Sequence, residues 1–193
     1  MVPHYVFIHG ANQNSSCWEY IVKTLNPTNY TFIDYDSKFS FDENLNNMSD
    51  QIKSLKNIFF VSHSLGGIYS VHLYNQYQNN VVGAVTLSTP YGGSSLAKIF
   101  RYMFPTVQLF QDICPSSDPI SQANLINIQV PWTQIVSVNG HNPVHILPND
   151  GVITIHSMMH RDDIDYIKID CDHYNILQSK EVVEHINILS RSS

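Results

Sequence analysis

The chain is poor in cysteine and in basic residues. Its 193 residues include three cysteines, Cys17, Cys114 and Cys171, and 10 lysines and arginines against 16 acidic residues. Three widely separated cysteines give neither a disulfide framework nor the paired spacing of a zinc site. A net charge of -6 without a cluster of cations argues against binding of nucleic acid through its phosphates. Free thiols are typical of a reducing compartment, so we predict a cytoplasmic protein.

Long apolar runs are also absent. No stretch reaches the ~18 consecutive apolar residues that a membrane span needs, and residues 1–8 lack the positive charge of a secretory signal. We therefore expect no transmembrane segment. Hydrophobic residues make up 43% of the sequence and charged residues 13%, which is typical of a globular chain. The length suits one domain over residues 1–193.

Short apolar runs alternate with amphipathic segments along the chain. The runs lie at 5–8, 31–33, 58–61, 82–87, 132–138 and 166–169. Continuous β-branched and aromatic runs indicate strands that are buried on both faces. The amphipathic segments, which predict helices, lie at 17–25, 45–55, 65–77 and 181–189. We therefore predict an α/β fold with a doubly wound, mostly parallel sheet of about six strands and helices on both faces.

One connection between predicted strands is unusually long. No strand is apparent from Thr89 to Pro131, and prolines and glycines interrupt this segment. A structureless loop of that length is rare inside a compact domain. We expect a helix near residues 95–102, followed by a cap-like excursion over one end of the sheet.

Residues 58–67 read Ile-Phe-Phe-Val-Ser-His-Ser-Leu-Gly-Gly, a buried strand that runs into a tight turn and then a helix. A turn that lifts a serine hydroxyl clear of a sheet requires small residues two positions before and after the serine. Ser62 and Gly66 meet this requirement around Ser64. The start of the following helix favours negative charge at the same point. The pattern predicts Ser64 as a nucleophile.

With this strand–turn–helix motif the chain resembles α/β-hydrolases of the lipase and esterase group. It resembles a minimal form with a small cap, which begins at the strand that the family counts as its third. Ser62 stands where the commonest version of the motif has glycine. The resemblance implies an oxyanion hole made by two backbone N–H groups, those of Ala11, which follows a His-Gly pair, and Leu65.

The family's triad order, Ser then acid then His, implies the remaining two catalytic residues. His173 follows the last predicted strand, from where an imidazole can reach the serine at the carboxyl edge of the sheet. Asp150 lies in an Asn-Asp-Gly-Val sequence that resembles the acid loop of lipases. Asp170 and Asp172 are rivals, but they lie too close to His173 along the chain to approach its far nitrogen easily. The resemblance thus implies a triad of Ser64, His173 and Asp150.

Aromatic side chains near these motifs are candidates for a substrate pocket. The predicted pocket residues are His9, His63, Tyr91, Phe104 and Phe110. A structural role is equally open for the excursion residues, which would then bury the excursion against the sheet. His63 would in the same way support the turn at Ser64.

Two pairs of histidines have the i, i+4 spacing with which one helix face can bind a metal. They are His156 with His160 and His141 with His145. Neither pair has a third ligand at a defined spacing, so we predict no metal and no cofactor.

The resemblance implies hydrolysis of a small-molecule or lipid-like carboxylic ester through an acyl-enzyme. Two other functions stay open from the sequence. The first is an acyltransferase or lyase on the same fold, because an alcohol or thiol acceptor in place of water needs no new triad. The second is a non-catalytic binding protein on a hydrolase scaffold.

Overall fold

The computed structural model, which describes residues 2–144 and 147–192, contains one sheet of six strands. The strands are β1 (His4–Ile8), β2 (Tyr30–Ile33), β3 (Ile58–His63), β4 (Val81–Leu87), β5 (Trp132–Ser137) and β6 (Asp165–Ile169). All neighbouring strands pair in parallel, in the order β2-β1-β3-β4-β5-β6. The predicted doubly wound parallel sheet is therefore confirmed.

Helices cover both faces of this sheet. They are α1 (Glu19–Leu25), α2 (Phe41–Ile52), α3 (Leu65–Gln76), α4 (Ser95–Met103), α5 (Gln108–Asp112), α6 (Asp118–Leu125), α7 (Ile155–Met158) and α8 (Lys180–Ser192). Among the residues described, no helix has the length and apolarity needed to cross a membrane.

Two apolar cores lie on opposite faces because successive strand side chains point to opposite sides. In β3, Ile58 and Phe60 pack with α2, α3 and α6, whereas Phe59 and Val61 pack with α1 and α8. All four side chains are buried. This explains why the strands read as unbroken apolar runs rather than as an alternation of apolar and polar residues.

Two helix starts differ from the sequence prediction. A 3-10 turn over Ser15–Trp18 precedes α1, and the Asn14 side chain accepts a hydrogen bond from the Ser16 N–H at the start of that turn. Helix α2 begins at Phe41, four residues earlier than predicted, because the Ser40 hydroxyl caps it. Capping by Ser40, rather than apolar periodicity, therefore sets the start of α2.

The long connection between β4 and β5 contains three helices, α4, α5 and α6. Helix α6 packs against α3, and α5 lies between α4 and α6. The first of the three, at Ser95–Met103, agrees with the helix expected near residues 95–102.

The direction of the chain reverses between β1 and β3, since β1 leads to β2 on one side and β3 leads to β4 on the other. In open parallel sheets, ligands bind outside the carboxyl ends of the strands at such a switch point. At this point the first turn of α3 lies directly on the end of β1. A Cβ atom at Gly66 would collide with the carbonyl oxygen of Ile8 and lie 2.6 Å from that of His9.

We predict that Gly66→Ala lowers the free energy of unfolding by about 3 kcal/mol, because backbone atoms cannot move aside for the added methyl group. Gly151→Ala is the matched control. Gly151 has a φ of +97° and nothing within 4 Å of an added Cβ, so only backbone strain of about 1–2 kcal/mol is expected there. Urea unfolding measures both changes, and an equal loss in the two variants would contradict the steric account.

Candidate active site

Ser64 occupies the junction between β3 and α3 in a strained backbone conformation. Its φ and ψ are 51° and -123°, outside the regions that L-residues populate freely. Its N–H donates to the carbonyl oxygen of Leu87 at 2.8 Å, which ties the turn to the end of β4. Such strain persists only where the surroundings enforce it, and it clusters at functional sites. The small residues around Ser64 permit this turn.

The loop after β1 runs beside this junction and is fixed by His9. The His9 ring stacks on Tyr35 with 4.4 Å between ring centroids. His9 Nε2 accepts the N–H of Tyr35 at 3.2 Å, so Nδ1 carries the proton and donates to the Gly10 carbonyl at 2.8 Å. Both nitrogens are engaged, and burial lowers the pKa of His9. His9 therefore holds the loop in shape.

Gln13 closes the same loop. The N–H of Gly10 donates to Gln13 Oε1 at 3.0 Å, and the N–H of Gln13 donates to the Gly10 carbonyl at 3.3 Å. Within residues 2–144 and 147–192, the N–H groups of Ala11 and Leu65 donate to no protein acceptor. Two amides without protein partners at the mouth of one pocket are suited to bind an anionic oxygen.

The loops after β5 and β6 bring Asp150 and His173 together. His173 Nδ1 donates to Asp150 Oδ2 at 2.7 Å, and the backbone N–H of His173 donates to the Asp150 carbonyl at 3.1 Å. An ionised carboxylate only accepts, so the proton of a neutral His173 stays on Nδ1 and leaves Nε2 free to accept. Asp150 and His173 are 1% and 2% exposed, which keeps water away from this bond.

The pKa of the Asp150 carboxyl is lowered. Burial alone would raise it, but the hydrogen bond and charge of His173 outweigh burial, together with hydrogen bonds from the Ile153 N–H and the Ser137 hydroxyl. Asp150 is therefore a carboxylate at neutral pH and can only accept the hydrogen bond from His173 Nδ1.

His63, between Ser62 and Ser64, is a buried structural imidazole. Its Nε2 lies 2.8 Å from the His173 carbonyl oxygen, and its Nδ1 lies 2.9 Å from Gln13 Oε1. Burial, followed by the neighbouring His173, lowers the pKa of His63 to about 3. The neutral ring has one N–H, which Nε2 donates to the His173 carbonyl, so His63 ties the turn at Ser64 to the loop that carries His173.

A cavity of about 110 Å³ joins these groups. Its polar lining includes Ser64, His173 and the loop after β1, and its apolar lining comprises Leu65, Pro90, Leu109, Ile113, Val152 and Ile153. No hydrogen bond joins Ser64 Oγ to His173 in the part of the chain that the structure describes. Catalytic hydrogen bonds are often long without substrate and shorten when it binds.

The pocket prediction needs correction at four of its five residues. His63 lines the cavity, whereas His9, Tyr91, Phe104 and Phe110 are not among the described residues that line it. Tyr91 is fully buried, with its hydroxyl bonded to Thr86 and to the Trp132 indole N–H.

The two phenylalanines of the excursion pack with each other instead of facing the cavity. Phe104 and Phe110 form a ring cluster with Phe100, and Phe104 is 48% exposed. Residues 109 and 113 lie on one face of the turn formed by α5, so Leu109 and Ile113 occupy the cavity wall while Phe110 points away.

Of the two histidine pairs, His156 with His160 lies wholly within the described residues. Among residues 2–144 and 147–192, no group of three or more His, Cys, Asp or Glu side chains is arranged to hold a metal ion. His156 and His160 lie in and just after the short helix α7. His145 lies outside the described residues, so the pairing with His141 stays a prediction.

Comparison with solved structures identifies the fold. A Bacillus licheniformis lipase in mature form superimposes with a TM-score of 0.79 at 19% identity, over 97% of this chain and 91% of that one. A lipase-esterase related protein from Clostridium acetobutylicum gives 0.72 at 16% identity, over 97% and 94%. An extracellular α/β-hydrolase from a Paenibacillus species gives 0.61 at 14% identity, over 98% and 96%. The chain has the α/β-hydrolase fold. No family model and no curated protein sequence matches it.

The sequence did not predict several residues of this site. Gln13, Leu109 and Ile113 carry no motif, and their positions depend on how two loops and α5 turn. Ser137 did carry a signal, because it is a polar residue at the carboxyl end of a buried strand. That edge is where ligand and catalytic groups of parallel sheets gather.

Helix α5 also carries a buried carboxyl, Asp112. It is 4% exposed and accepts a hydrogen bond from Gln108 Nε2 at 2.8 Å. Burial raises the pKa of Asp112 to about 6, and the charge of Asp42 acts in the same direction. The folded state therefore binds this proton more tightly than the unfolded chain, and stability falls as pH rises from about 3.8 to about 6.

We predict that Asp112→Asn, which stays neutral at every pH, is close to wild type in stability at pH 4 and more stable by about 2 kcal/mol at pH 8. Urea unfolding at pH 4, 6 and 8 measures the difference, and Asp162→Asn, at an exposed position, is the control. A difference between wild type and Asp112→Asn that does not grow with pH would contradict this assignment.

Proposed function

We propose that this protein is a serine hydrolase that cleaves carboxylic esters through Ser64, His173 and Asp150. One observation carries the proposal. A strained serine at the switch point of a parallel sheet shares a small cavity with an imidazole whose Nδ1 is bonded to a buried carboxylate at 2.7 Å. The lipase and esterase names among the structural neighbours support ester chemistry.

In the first half of the proposed reaction, Ser64 Oγ attacks the ester carbonyl carbon while His173 Nε2 accepts the hydroxyl proton. The carbonyl oxygen becomes negative and receives hydrogen bonds from the N–H groups of Ala11 and Leu65. Asp150 stabilises the imidazolium that forms. The tetrahedral intermediate then collapses, His173 donates the proton to the departing alcohol, and the acyl group stays on Ser64.

In the second half, water enters in place of the alcohol. His173 Nε2 takes a proton from the water as its oxygen attacks the acyl carbon, and the same two amides stabilise the oxyanion again. Collapse of this intermediate returns the proton to Ser64 Oγ and releases the carboxylic acid. No cofactor takes part in these steps.

We predict that Ser64→Ala abolishes hydrolysis of p-nitrophenyl acetate, with a loss in kcat of at least about 10⁴-fold, because the nucleophile is gone. The control is Ser16→Ala, which removes an exposed hydroxyl bonded to Asn14. Thermal unfolding of both variants verifies that they fold. Turnover retained by Ser64→Ala would place the nucleophile elsewhere, and a wild-type protein inactive on all esters would favour a binding protein.

The cavity also supports a preference for small acyl groups. Its volume is about 110 Å³. Most pockets for small-molecule ligands are larger, at roughly 300–1,000 Å³. Leu109 in α5 and Ile113 directly after it line its apolar side together with Val152 and Ile153. An acyl chain of a few carbons fits here, whereas a long chain requires α5 to move.

We predict that wild type hydrolyses p-nitrophenyl acetate or butyrate with a kcat/KM at least about tenfold above that for the octanoate. Leu109→Ala should reduce this ratio about tenfold, because it removes a wall of the cavity. Phe110→Ala, the next residue of the same helix, faces the phenylalanine cluster and should leave the ratio unchanged. Equal changes in both variants would contradict a specific role for Leu109.

The cytoplasm is the location that we propose, and the free cysteines support it. Cys17, Cys114 and Cys171 form no disulfide in the structure, and Cys114 is buried. Fractionation of cells that express the natural gene tests the location, and recovery from the medium would contradict it.

A further inference from the structure

The carboxylate of Asp150 has a second close partner besides His173. Its Oδ2 accepts from His173 Nδ1 at 2.7 Å and from the Ser137 hydroxyl at 2.5 Å. Its Oδ1 accepts the N–H groups of Val152 at 3.0 Å and Ile153 at 2.7 Å. The oxygen that bonds the imidazole is therefore the one that Ser137 also holds.

The Ser137 hydroxyl is in turn bonded to Ser88, with 2.6 Å between the two Oγ atoms. The donor and acceptor in each of these hydrogen bonds follow from the single hydroxyl proton of Ser137. Ser137 has one hydroxyl proton, which the carboxylate of Asp150 must receive because it cannot donate. Ser137 then accepts, so Ser88 donates to Ser137. The order is Ser88, Ser137, Asp150 and His173, with every proton directed toward the carboxylate.

Water does not compete for the hydrogen bonds between Ser88, Ser137 and Asp150. Ser88 and Ser137 are both 0% exposed, and they stand at the carboxyl ends of the neighbouring strands β4 and β5. Ser88 also has a left-handed backbone, with a φ of +51° that disfavours any residue other than glycine. Its N–H donates to the Ile135 carbonyl at 3.0 Å, which holds this conformation. Strain of this kind at a buried polar residue points to a role beyond packing.

We propose that Ser137, supported by Ser88, is a positioning residue that fixes the Asp150 carboxylate on the imidazole of His173. The inference rests on the proposed function, because it concerns the acid of the same triad. Ser137 restricts rotation of the carboxylate away from Nδ1, together with the Val152 and Ile153 N–H groups on Oδ1. Its hydroxyl dipole also compensates part of the negative charge on Oδ2.

This compensation sets the sign of the expected effect. Without the Ser137 hydroxyl, the charge on Oδ2 is less compensated and attracts the protonated imidazole more strongly. The pH midpoint at which kcat/KM rises should therefore move upward. Rotation of a carboxylate that has lost one of its two side-chain bonds should also lower kcat with little change in KM.

Other titratable groups lie near the Asp150–His173 pair. His63 faces His173 with 4.8 Å between ring centroids, and its pKa of about 3 keeps it neutral across the assay range. Cys171, whose pKa burial raises to about 11, stays a thiol. Asp172, whose pKa is lowered by its hydrogen bond from the Asn175 N–H, stays ionised. Tyr174 lies edge-on to His173 with centroids 5.3 Å apart. All four remain in every variant below.

The experiment compares pH profiles of kcat and kcat/KM on p-nitrophenyl acetate for wild type, Ser137→Ala, Ser88→Ala and the double variant. Ser70→Ala is the matched control. This variant breaks an equally buried serine pair, in which the Oγ atoms of Ser62 and Ser70 are 2.5 Å apart. Ser70 is bonded to the Gly66 carbonyl and not to Asp150. Thermal unfolding of every variant reports any general loss of stability.

We expect Ser137→Ala to lower kcat about tenfold, the order for one lost hydrogen bond to a charged group, and to raise the midpoint by about half a pH unit. Ser88→Ala should change both in the same direction by less. The double variant should lose no more than Ser137→Ala, because Ser88 acts through Ser137.

A profile of Ser137→Ala that superimposes on that of Ser70→Ala would overturn the inference while leaving the proposed function intact. A wild-type protein inactive on all esters would overturn both. If Ser137→Ala does not fold, Ser88→Ala decides: an upward midpoint shift supports the inference, and an unchanged midpoint overturns it.

Discussion

The contact between the first turn of α3 and the end of β1 determines the geometry of the site. Helix α3 approaches the carbonyl groups of Ile8 and His9 at Gly66, closer than any side chain at that position would allow. This approach brings Ser64 beside the loop after β1 and aligns the amides of Ala11 and Leu65 with one cavity. The cavity lies at the switch point of the sheet, between β1 and β3, where ligands bind in open parallel sheets.

Buried hydrogen bonds hold the remaining loops of the site at this junction. His63 joins the turn at Ser64 to the His173 carbonyl, and the His173 N–H joins the loop after β6 to the Asp150 carbonyl. The side chain of Asp150 then ties β5 to the same cluster through Ser137. Four loops from distant parts of the sequence are thereby held at one edge of the sheet, as a pre-organised polar site requires.

Much of this fold could be predicted because both faces of the sheet are buried. That burial makes β3 read Ile-Phe-Phe-Val, a pattern that few other structures explain. The sequence also predicts the turn at Ser64, since this turn needs small residues on both sides and a helix after it. Helix starts are harder to predict, because a single capping side chain can determine them. Capping by Ser40 places the start of α2 four residues before the predicted one.

The residues that line the cavity could not be predicted from the sequence in the same way. Phe104 and Phe110 are the larger apolar residues, yet Leu109 and Ile113 face the cavity because α5 turns that side inward. His9 stands in a recognisable His-Gly pair, but only the fold shows that Tyr35 stacks on its ring and removes it from the pocket. Tertiary packing decides these orientations, and no local pattern encodes it.

The central claim is that Ser64 is the nucleophile of this site, and covalent labelling tests it most directly. The pure protein is treated with a fluorophosphonate, digested, and sequenced by mass spectrometry. The account predicts one modified residue, Ser64, in the peptide that follows β3. A label on any other serine, or no label under conditions that modify a known serine esterase, would contradict it.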